Sequence, residues 1–328
     1  MARAVRIHQP GPASSFVVDD VEVGPPLPGE VKIEQRAIGV NFIDINYRTG
    51  AYALAMPATL GLEACGVVTD IGLGVTHLSR GDRVAYYWRQ PGAYCAVRNV
   101  PAARVVLVPK ELADDVVAAV FMKGLTAEYL LRRTFRVDGR HTLVISAAAG
   151  GVGSLMCQRA RALGGRVIGL VSTDEKARAA LNAGAHHALT VGPGAAGVVD
   201  LAKRVKDVAG GPVDVVYDSV GKDTFEQSLD MLKPRGMLVL FGQSSGPVTG
   251  FAPHTLSKKG SLYLTRPSLH DYVHDPGEYR AASDALVEQV NKGALTLKVS
   301  ATYALADAAR AHAEIEARMT TRSMVLIP

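Results

Sequence analysis

The sequence predicts an α/β protein in which a doubly wound parallel sheet of the Rossmann type is joined to a second, β-rich domain. Three observations carry that expectation. A glycine-rich turn, SAAAGGVGS at residues 146–154, stands between an apolar run and a helical one. The apolar runs VISAA, VIGLV, DVVYD and LVLFG recur with amphipathic stretches between them, as expected of strands buried on both faces, whose parallel pairing requires crossover helices. Before about residue 121, short strand-like runs instead alternate with Gly- and Pro-containing turns, the rhythm of a compact β-rich domain.

Taken in order, the first part offers strands at 31–36, 66–71, 83–87, 93–97 and 105–108. A helix is expected over 112–133, and strands then alternate with helices at 142–147, 166–172, 187–191, 213–219, 237–242 and 261–265. The tail adds helices near 279–292 and 305–318 and a closing strand, MVLIP. No internal repeat is visible.

At 328 residues and 48% apolar, the chain is long enough for two cores. Its formal charge of +5 is dispersed, without a basic block or zinc-finger spacing, so a nucleic-acid partner is not expected. The 3 cysteines, Cys65, Cys95 and Cys157, include no C-x-x-C pair and suit a reducing compartment without a disulfide framework or cysteine-built metal site. No apolar stretch reaches spanning length and the N-terminus has no signal-like apolar region, so a cytoplasmic protein is expected.

The chemistry concentrates at the glycine turn. Ala147, Gly150 and Gly153 form a small-x-x-Gly-x-x-Gly relative of the dinucleotide fingerprint, placed between strand and helix, where bare backbone lets N–H groups approach a pyrophosphate. Ala149, Gly150, Gly151 and Val152 are the expected contacts, with Ala149 and Gly150 in the tight part of the turn and Gly153 packing helix on sheet. The next strand ends in Ser172 and Thr173, with Lys176 one turn later, hydroxyls and a cation that suit a 2′-phosphate and favour NADPH. Asp174 is the competing acid, and its alternative role is to open the helix that follows.

Several segments together resemble the quinone oxidoreductase family, the zeta-crystallin branch of the medium-chain dehydrogenase/reductases. They are AAAGGVG with Gln158 and Arg161 beyond it, KGLTA at 123–127, YDSVG at 217–221, and GxEAxGxV at 61–68 followed by GDRV at 81–84. The resemblance covers essentially the whole chain. It implies a GroES-like catalytic domain over 1–123 and again 267–328, a Rossmann domain over 124–266, a cleft between them and a homodimer joined through the Rossmann sheets.

It also implies roles. Asn41 in NFID and Tyr52 in RTGAY would lie by the nicotinamide and substrate; for a metal-free hydride transfer to a quinone or other conjugated carbonyl, Asn41, Tyr52 or an ordered water are the candidate donors to the developing oxyanion. Thr126, Ser219, Phe241, Gly242, Ser244, Leu264, Thr265, Arg266 and Arg318 would complete the NADPH site, with Arg318 on the 2′-phosphate. Where zinc-dependent relatives carry Cys and His ligands, this chain has Asn41 and Leu62, which cannot replace thiolate and imidazole. Asn46 and Val191 stand where the family often has Tyr, and Tyr or His; the second change removes one contact near the adenine. Asn41 as a helix cap and Tyr52 as loop packing are the plain structural alternatives. Two other functions fit the same sequence: an alkenal or enone reductase, and a dinucleotide-binding protein with a structural or RNA-binding role.

Overall fold

The chain divides into two units, Met1–Leu125 with Val273–Pro328, and Thr126–Tyr272. The computed structural model describes residues 1–192, 199–317 and 323–328.

In the second unit, six strands form one parallel sheet. In spatial order they are His187–Thr190, Arg166–Val171, Thr142–Ile145, Val213–Asp218, Leu232–Leu240 and Tyr263–Thr265. Strand order reverses beside Thr142–Ile145, the first strand in sequence, which creates the switch point where open α/β sheets bind ligands. Leu143, Val144 and Ile145 have no exposed surface, and every residue of Val213–Asp218 is buried. This is why those strands read as unbroken apolar runs.

The observed strand ends differ from the expected ones for local reasons. Thr142–Ile145 stops before 147 because Ala147 takes a left-handed φ of 47°. Leu232–Leu240 begins earlier than expected and crosses a register shift between its pairs with Val213 and Val215. Ser261, at φ 54°, delays the last strand to Tyr263.

The first unit holds a seven-stranded sheet and a three-stranded one. Glu30–Gly39 is the hub of the larger sheet: it pairs antiparallel with Glu63–Ile71, Val97–Pro101 and the terminal strand Ser323–Ile327. Val299–Ala304 lies parallel to that last strand, so the end of the chain completes a sheet begun near its start. The smaller sheet pairs Ala2–Ile7 with Phe16–Val21 and Ala58–Thr59.

The expected strand at 93–97 is corrected. Ala93, Tyr94 and Cys95 are buried in a connecting segment that donates from Ala96 N–H to Arg3 O and accepts from Val5 N–H at Tyr94 O, both at 2.8 Å, while the strand itself runs Val97–Pro101. The helix expected over 112–133 is α-helical over Asp114–Tyr129 and closes in a π-helical turn, Leu130–Thr134.

Candidate active site

The glycine turn is built by exclusion. Beyond Ile145, the buried Ser146 hydroxyl receives the Ser219 N–H at 2.7 Å and meets the Ser219 hydroxyl at 2.9 Å, which ties together the ends of two adjacent strands. Ala147 then turns the chain, and Gly150 N–H donates back to Ala147 O at 2.8 Å. The left-handed residue is therefore Ala147, ahead of Ala149 and Gly150. A Cβ on Gly153 would overlap the Ala147 carbonyl oxygen and lie 2.9 Å from Ala148 Cα, so this position needs glycine for the helix to pack on the turn.

The helix Gly151–Ala162 starts from Gly150 with no side-chain cap and no acid in its first turn. The amides of Gly151, Val152 and Gly153 are the orphan donors of that turn, at the positive end of the helix dipole. Ala149 is buried, while Gly150, Gly151 and Val152 are half-buried. Bare backbone, free amides and an uncapped dipole together fit a diphosphate.

The neighbouring strand end assembles a second polar group. Thr173 caps the helix Asp174–Asn182 by accepting Lys176 N–H at 3.2 Å, and Lys176 Nζ donates to Ser172 Oγ at 3.1 Å. Asp174 accepts from the Thr190 hydroxyl at 2.9 Å, in the first helical turn. Lysine and two hydroxyls are thus brought together, while the competing carboxylate is engaged on the next strand.

On the other side of the turn, Phe241 N–H donates to Asp218 O at 2.9 Å and Ser244 N–H to Ser219 O at 3.2 Å. A Cβ on Gly242 would come within 2.5 Å of Ser219 O, so this glycine permits a close approach of two backbones. Leu264 and Thr265 pair with Leu238 and Val239, and the exposed Arg266 follows them. Thr126 is half-buried on the helix Asp114–Tyr129. Arg318 lies outside the described residues.

A residue missed by sequence reasoning holds this edge in place. The Asp218 carboxylate is fully buried and accepts from Val220 N–H (2.8 Å), Gly221 N–H (3.1 Å), the Thr224 hydroxyl (2.7 Å) and the Ser228 hydroxyl (2.8 Å). The signal was its place inside an otherwise apolar strand run, since a buried acid survives only with donors around it.

In the first unit, Asn41 is buried and caps the helix Phe42–Arg48, its N–H donating to Asp44 Oδ2 at 2.9 Å. Its carboxamide takes part in a capping box with Asp44 and also reaches across the unit's core, Nδ2 donating to Glu63 Oε1 at 2.7 Å. Cap and polar centre are therefore one residue. Tyr52 is half-buried, its ring edge-on to Tyr47 with centroids 5.6 Å apart.

Behind Asn41 runs a buried polar chain. Tyr94 OH reaches Asp44 Oδ2 (3.1 Å) and His312 Nε2 (2.9 Å), and Arg48, 1% exposed, meets His312 Nδ1 (3.4 Å) and Glu316 (2.7 Å). Burial raises the Asp44 carboxyl to about 7, and the neighbouring Glu63 charge adds to the shift. Burial lowers His312 to about 3, with the Arg48 cation acting in the same direction.

Zinc does not fit here. Leu62 is a buried aliphatic side chain, and Asn41 offers a neutral carboxamide, one N–H of which is given to Glu63, in place of a thiolate or imidazole. Among the described residues no group of three or more His, Cys, Asp or Glu could hold a metal ion.

A nucleotide-type sheet with a bare phosphate turn, joined to a β-rich unit built from both ends of the chain, defines the alcohol-dehydrogenase class of medium-chain reductases. The model for alcohol dehydrogenase GroES-like domains matches residues 27–135, and that for zinc-binding dehydrogenases matches 151–287. Within that class the chain belongs to the quinone oxidoreductase family. It is 44% identical to the quinone oxidoreductase of Salmonella typhimurium, over all of both chains. It is 42% identical to a 2-haloacrylate reductase of a Burkholderia species, over all of this chain and 99% of the relative. It superposes with a TM-score of 0.96 on Escherichia coli quinone oxidoreductase complexed with NADPH, at 42% identity and full coverage of both chains.

Proposed function

We propose that this chain is an NADPH-dependent quinone reductase that works without a catalytic metal. The observation that carries the reading is the turn at 146–154, where Gly153 is required by overlap with the Ala147 carbonyl and the helix that follows starts without a side-chain cap. Bound NADPH supplies a hydride; added to the acceptor together with one proton, it converts a quinone to its two-electron-reduced form.

The protein's part is to seat, orient and shield. Amides of Gly151 and Val152 hold the diphosphate, with Ala149 and Gly150, whose own N–H closes the turn on Ala147, lining it. Ser172, Thr173 and Lys176 take the 2′-phosphate as hydroxyl and ammonium donors. Ser219, Phe241, Gly242, Ser244 and Thr126 line the nicotinamide half, and the backbone at Leu264, Thr265 and Arg266 meets its carboxamide. Arg318 is assigned to the 2′-phosphate on family resemblance alone. Asn41 and Tyr52 face the acceptor. Each amide nitrogen of an Asn carries two N–H groups, so Asn41, having given one to Glu63, keeps one for the oxygen on which negative charge develops.

The likeness to a 2-haloacrylate reductase supports a second acceptor class, alkenes conjugated to a carboxyl or carbonyl group, served by the same chemistry. We also propose a cytoplasmic homodimer, the first because all three cysteines are buried free thiols. No helix among the described residues is long and apolar enough to cross a membrane.

Steady-state assays with 1,4-benzoquinone, 9,10-phenanthrenequinone and a 2-alkenal, each with NADPH and NADH, test the assignment. Quinone turnover with NADPH is expected, and turnover of the alkenal alone would overturn the quinone reading. Lys176→Ala is expected to weaken NADPH binding by at least about tenfold, the loss of one charge-assisted contact, and NADH binding by less than about twofold. Calorimetric titrations giving equal losses would refute the 2′-phosphate site.

A further inference from the structure

Glu63 has no exposed surface, and three elements of the first unit converge on its carboxylate. Asn41 Nδ2 donates to Oε1 at 2.7 Å, the Met122 backbone N–H donates to Oε2 at 2.6 Å, and Lys123 Nζ, itself buried, approaches Oε1 at 3.3 Å. The strand Glu30–Gly39 ends in a glycine at the same place. A Cβ on Gly39 would overlap the Glu63 carboxylate and come within 2.5 Å of the Ala118 carbonyl oxygen. Space is thus reserved for a charged group, and the opposite charge that a buried carboxylate requires is supplied beside it.

A carboxylate only accepts hydrogen bonds, whereas a carboxamide has a donating end and an accepting end of nearly equal size. Facing Glu63, Asn41 can present only its NH2 end. The flipped amide would set oxygen against oxygen at a position closed to water, and the terminal torsion of Asn is otherwise broadly two-fold. We infer that Glu63, held by Met122 N–H and Lys123, is a positioning residue that fixes the orientation of the Asn41 carboxamide toward the acceptor. The inference rests on the reading of Asn41 as the donor to the developing oxyanion.

Glu63→Gln separates the possibilities, because glutamine keeps the volume but can both donate and accept, so position 63 no longer dictates which end of the Asn41 amide it faces. The first readout needs no activity: the side-chain amide pair of Asn41 in a 15N–1H spectrum of the free protein, identified by its disappearance in Asn41→Ala. The proton facing Glu63 is expected downfield of the other asparagine side chains and back among them in Glu63→Gln. The second readout is kinetic, with NADPH and 1,4-benzoquinone. Glu63→Gln is expected to lower kcat about tenfold in the wild-type background and less than about twofold in the Asn41→Ala background, since a residue acting through Asn41 has nothing left to position. NADPH affinity is expected to stay within about twofold by calorimetry.

Unchanged Asn41 resonances in Glu63→Gln, or an equal loss of kcat in both backgrounds, would overturn the positioning role. Full kcat in Asn41→Ala would overturn the donor reading instead, a failure visible in activity while the spectrum still shifts. Should Glu63→Gln not fold, Glu63→Asp retains the charge opposite Lys123 but withdraws it from Asn41, and the same upfield return is expected.

Discussion

Asp44 and His312 touch the same hydroxyl, Tyr94 OH, and burial moves their proton affinities in opposite directions, Asp44 up to about 7 and His312 down to about 3. The Asp44 Oδ1 atom is buried and, among the described residues, has no hydrogen-bond partner, which suits a carboxyl that keeps its proton. For Asp44 the folded state binds the proton more tightly than the unfolded chain, whose ordinary value is 3.8. Its stabilising contribution is present at low pH and is lost as pH rises from about 4 through about 7. For His312 the unfolded chain binds the proton more tightly, so its contribution is present above 6.5 and is lost as pH falls toward about 3. Over their shared window the two slopes oppose each other, each at most about 1.4 kcal/mol per pH unit. Asp44→Asn, which keeps an acceptor for Asn41 N–H and Tyr94 OH, is therefore expected to make stability rise more steeply with pH between 4 and 6.5 than in wild type, and His312→Phe to make it fall. Denaturant unfolding at half-unit pH steps would show this, and parallel curves for wild type and Asp44→Asn would refute the raised carboxyl. None of this coupling was visible in the sequence: Asn41, Tyr52 and Lys176 could be chosen from motif position, but Glu63 and Lys123 are 60 residues apart and Tyr94 and His312 218. Only folding shows that such side chains share a site.

Elements were legible where one physical signal dominated. The interior strands of the parallel sheet were legible as apolar runs, because strands buried on both faces have no competing pattern, whereas the edge strands His187–Thr190 and Tyr263–Thr265, half-buried or exposed, were legible only from their place in the alternation with helices. The hairpin Ala2–Ile7 with Phe16–Val21 went unread because its second strand is largely exposed, Val17 and Val18 at 46% each, with Asp19 and Asp20 beside them. Val299–Ala304 went unread because its strand identity comes from a parallel partner more than 20 residues later. The glycine turn was read correctly as a turn, yet the sequence could not say that its left-handed residue is an alanine. That gives a paired prediction. Ala147→Gly relieves a left-handed conformation that costs about 1–2 kcal/mol in a residue with a Cβ, offset by about 0.4–1 kcal/mol of unfolded-chain entropy, so a gain of roughly 0.5–1 kcal/mol is expected. Gly153→Ala drives a Cβ into a carbonyl that cannot yield, with an expected loss of about 1–3 kcal/mol and a loss of NADPH affinity of about tenfold or more. Urea unfolding and calorimetry check both; a neutral Gly153→Ala would remove the close-packing argument for the turn.

At the scale of the whole molecule, the two edges of the parallel sheet differ in how they are covered. In the second unit, the edge at His187–Thr190 is partly covered, because Arg204 donates to Thr190 O at 2.8 Å. The opposite edge, Tyr263–Thr265, pairs on one side only among the described residues and leaves Tyr263 58% exposed, the kind of edge that a second copy can extend. Wild type is expected at about twice 34.6 kDa by light scattering, and Tyr263→Lys at the single-chain mass; a dimeric Tyr263→Lys would place the contact elsewhere. The C-terminus governs the first unit. Val40 N–H, adjacent to Asn41, donates to Met324 O at 3.2 Å, Val325 pairs with Gly39, and Arg48 on the helix after Asn41 is tied to Glu316. The last strand therefore sets the backbone from which the Asn41 amide reaches Glu63. Met324, Val325 and Leu326 are all at most 1% exposed, and burying such side chains is worth about 1.5–3 kcal/mol each. Their sum approaches the roughly 5–15 kcal/mol that stabilises a typical domain. Deleting residues 323–328 is thus expected to abolish quinone turnover and cooperative unfolding of the first unit, and the milder Leu326→Ala to cost about 2–5 kcal/mol. A truncated chain that unfolds at the wild-type temperature and keeps its turnover would show that the terminal strand is dispensable to the Asn41 site.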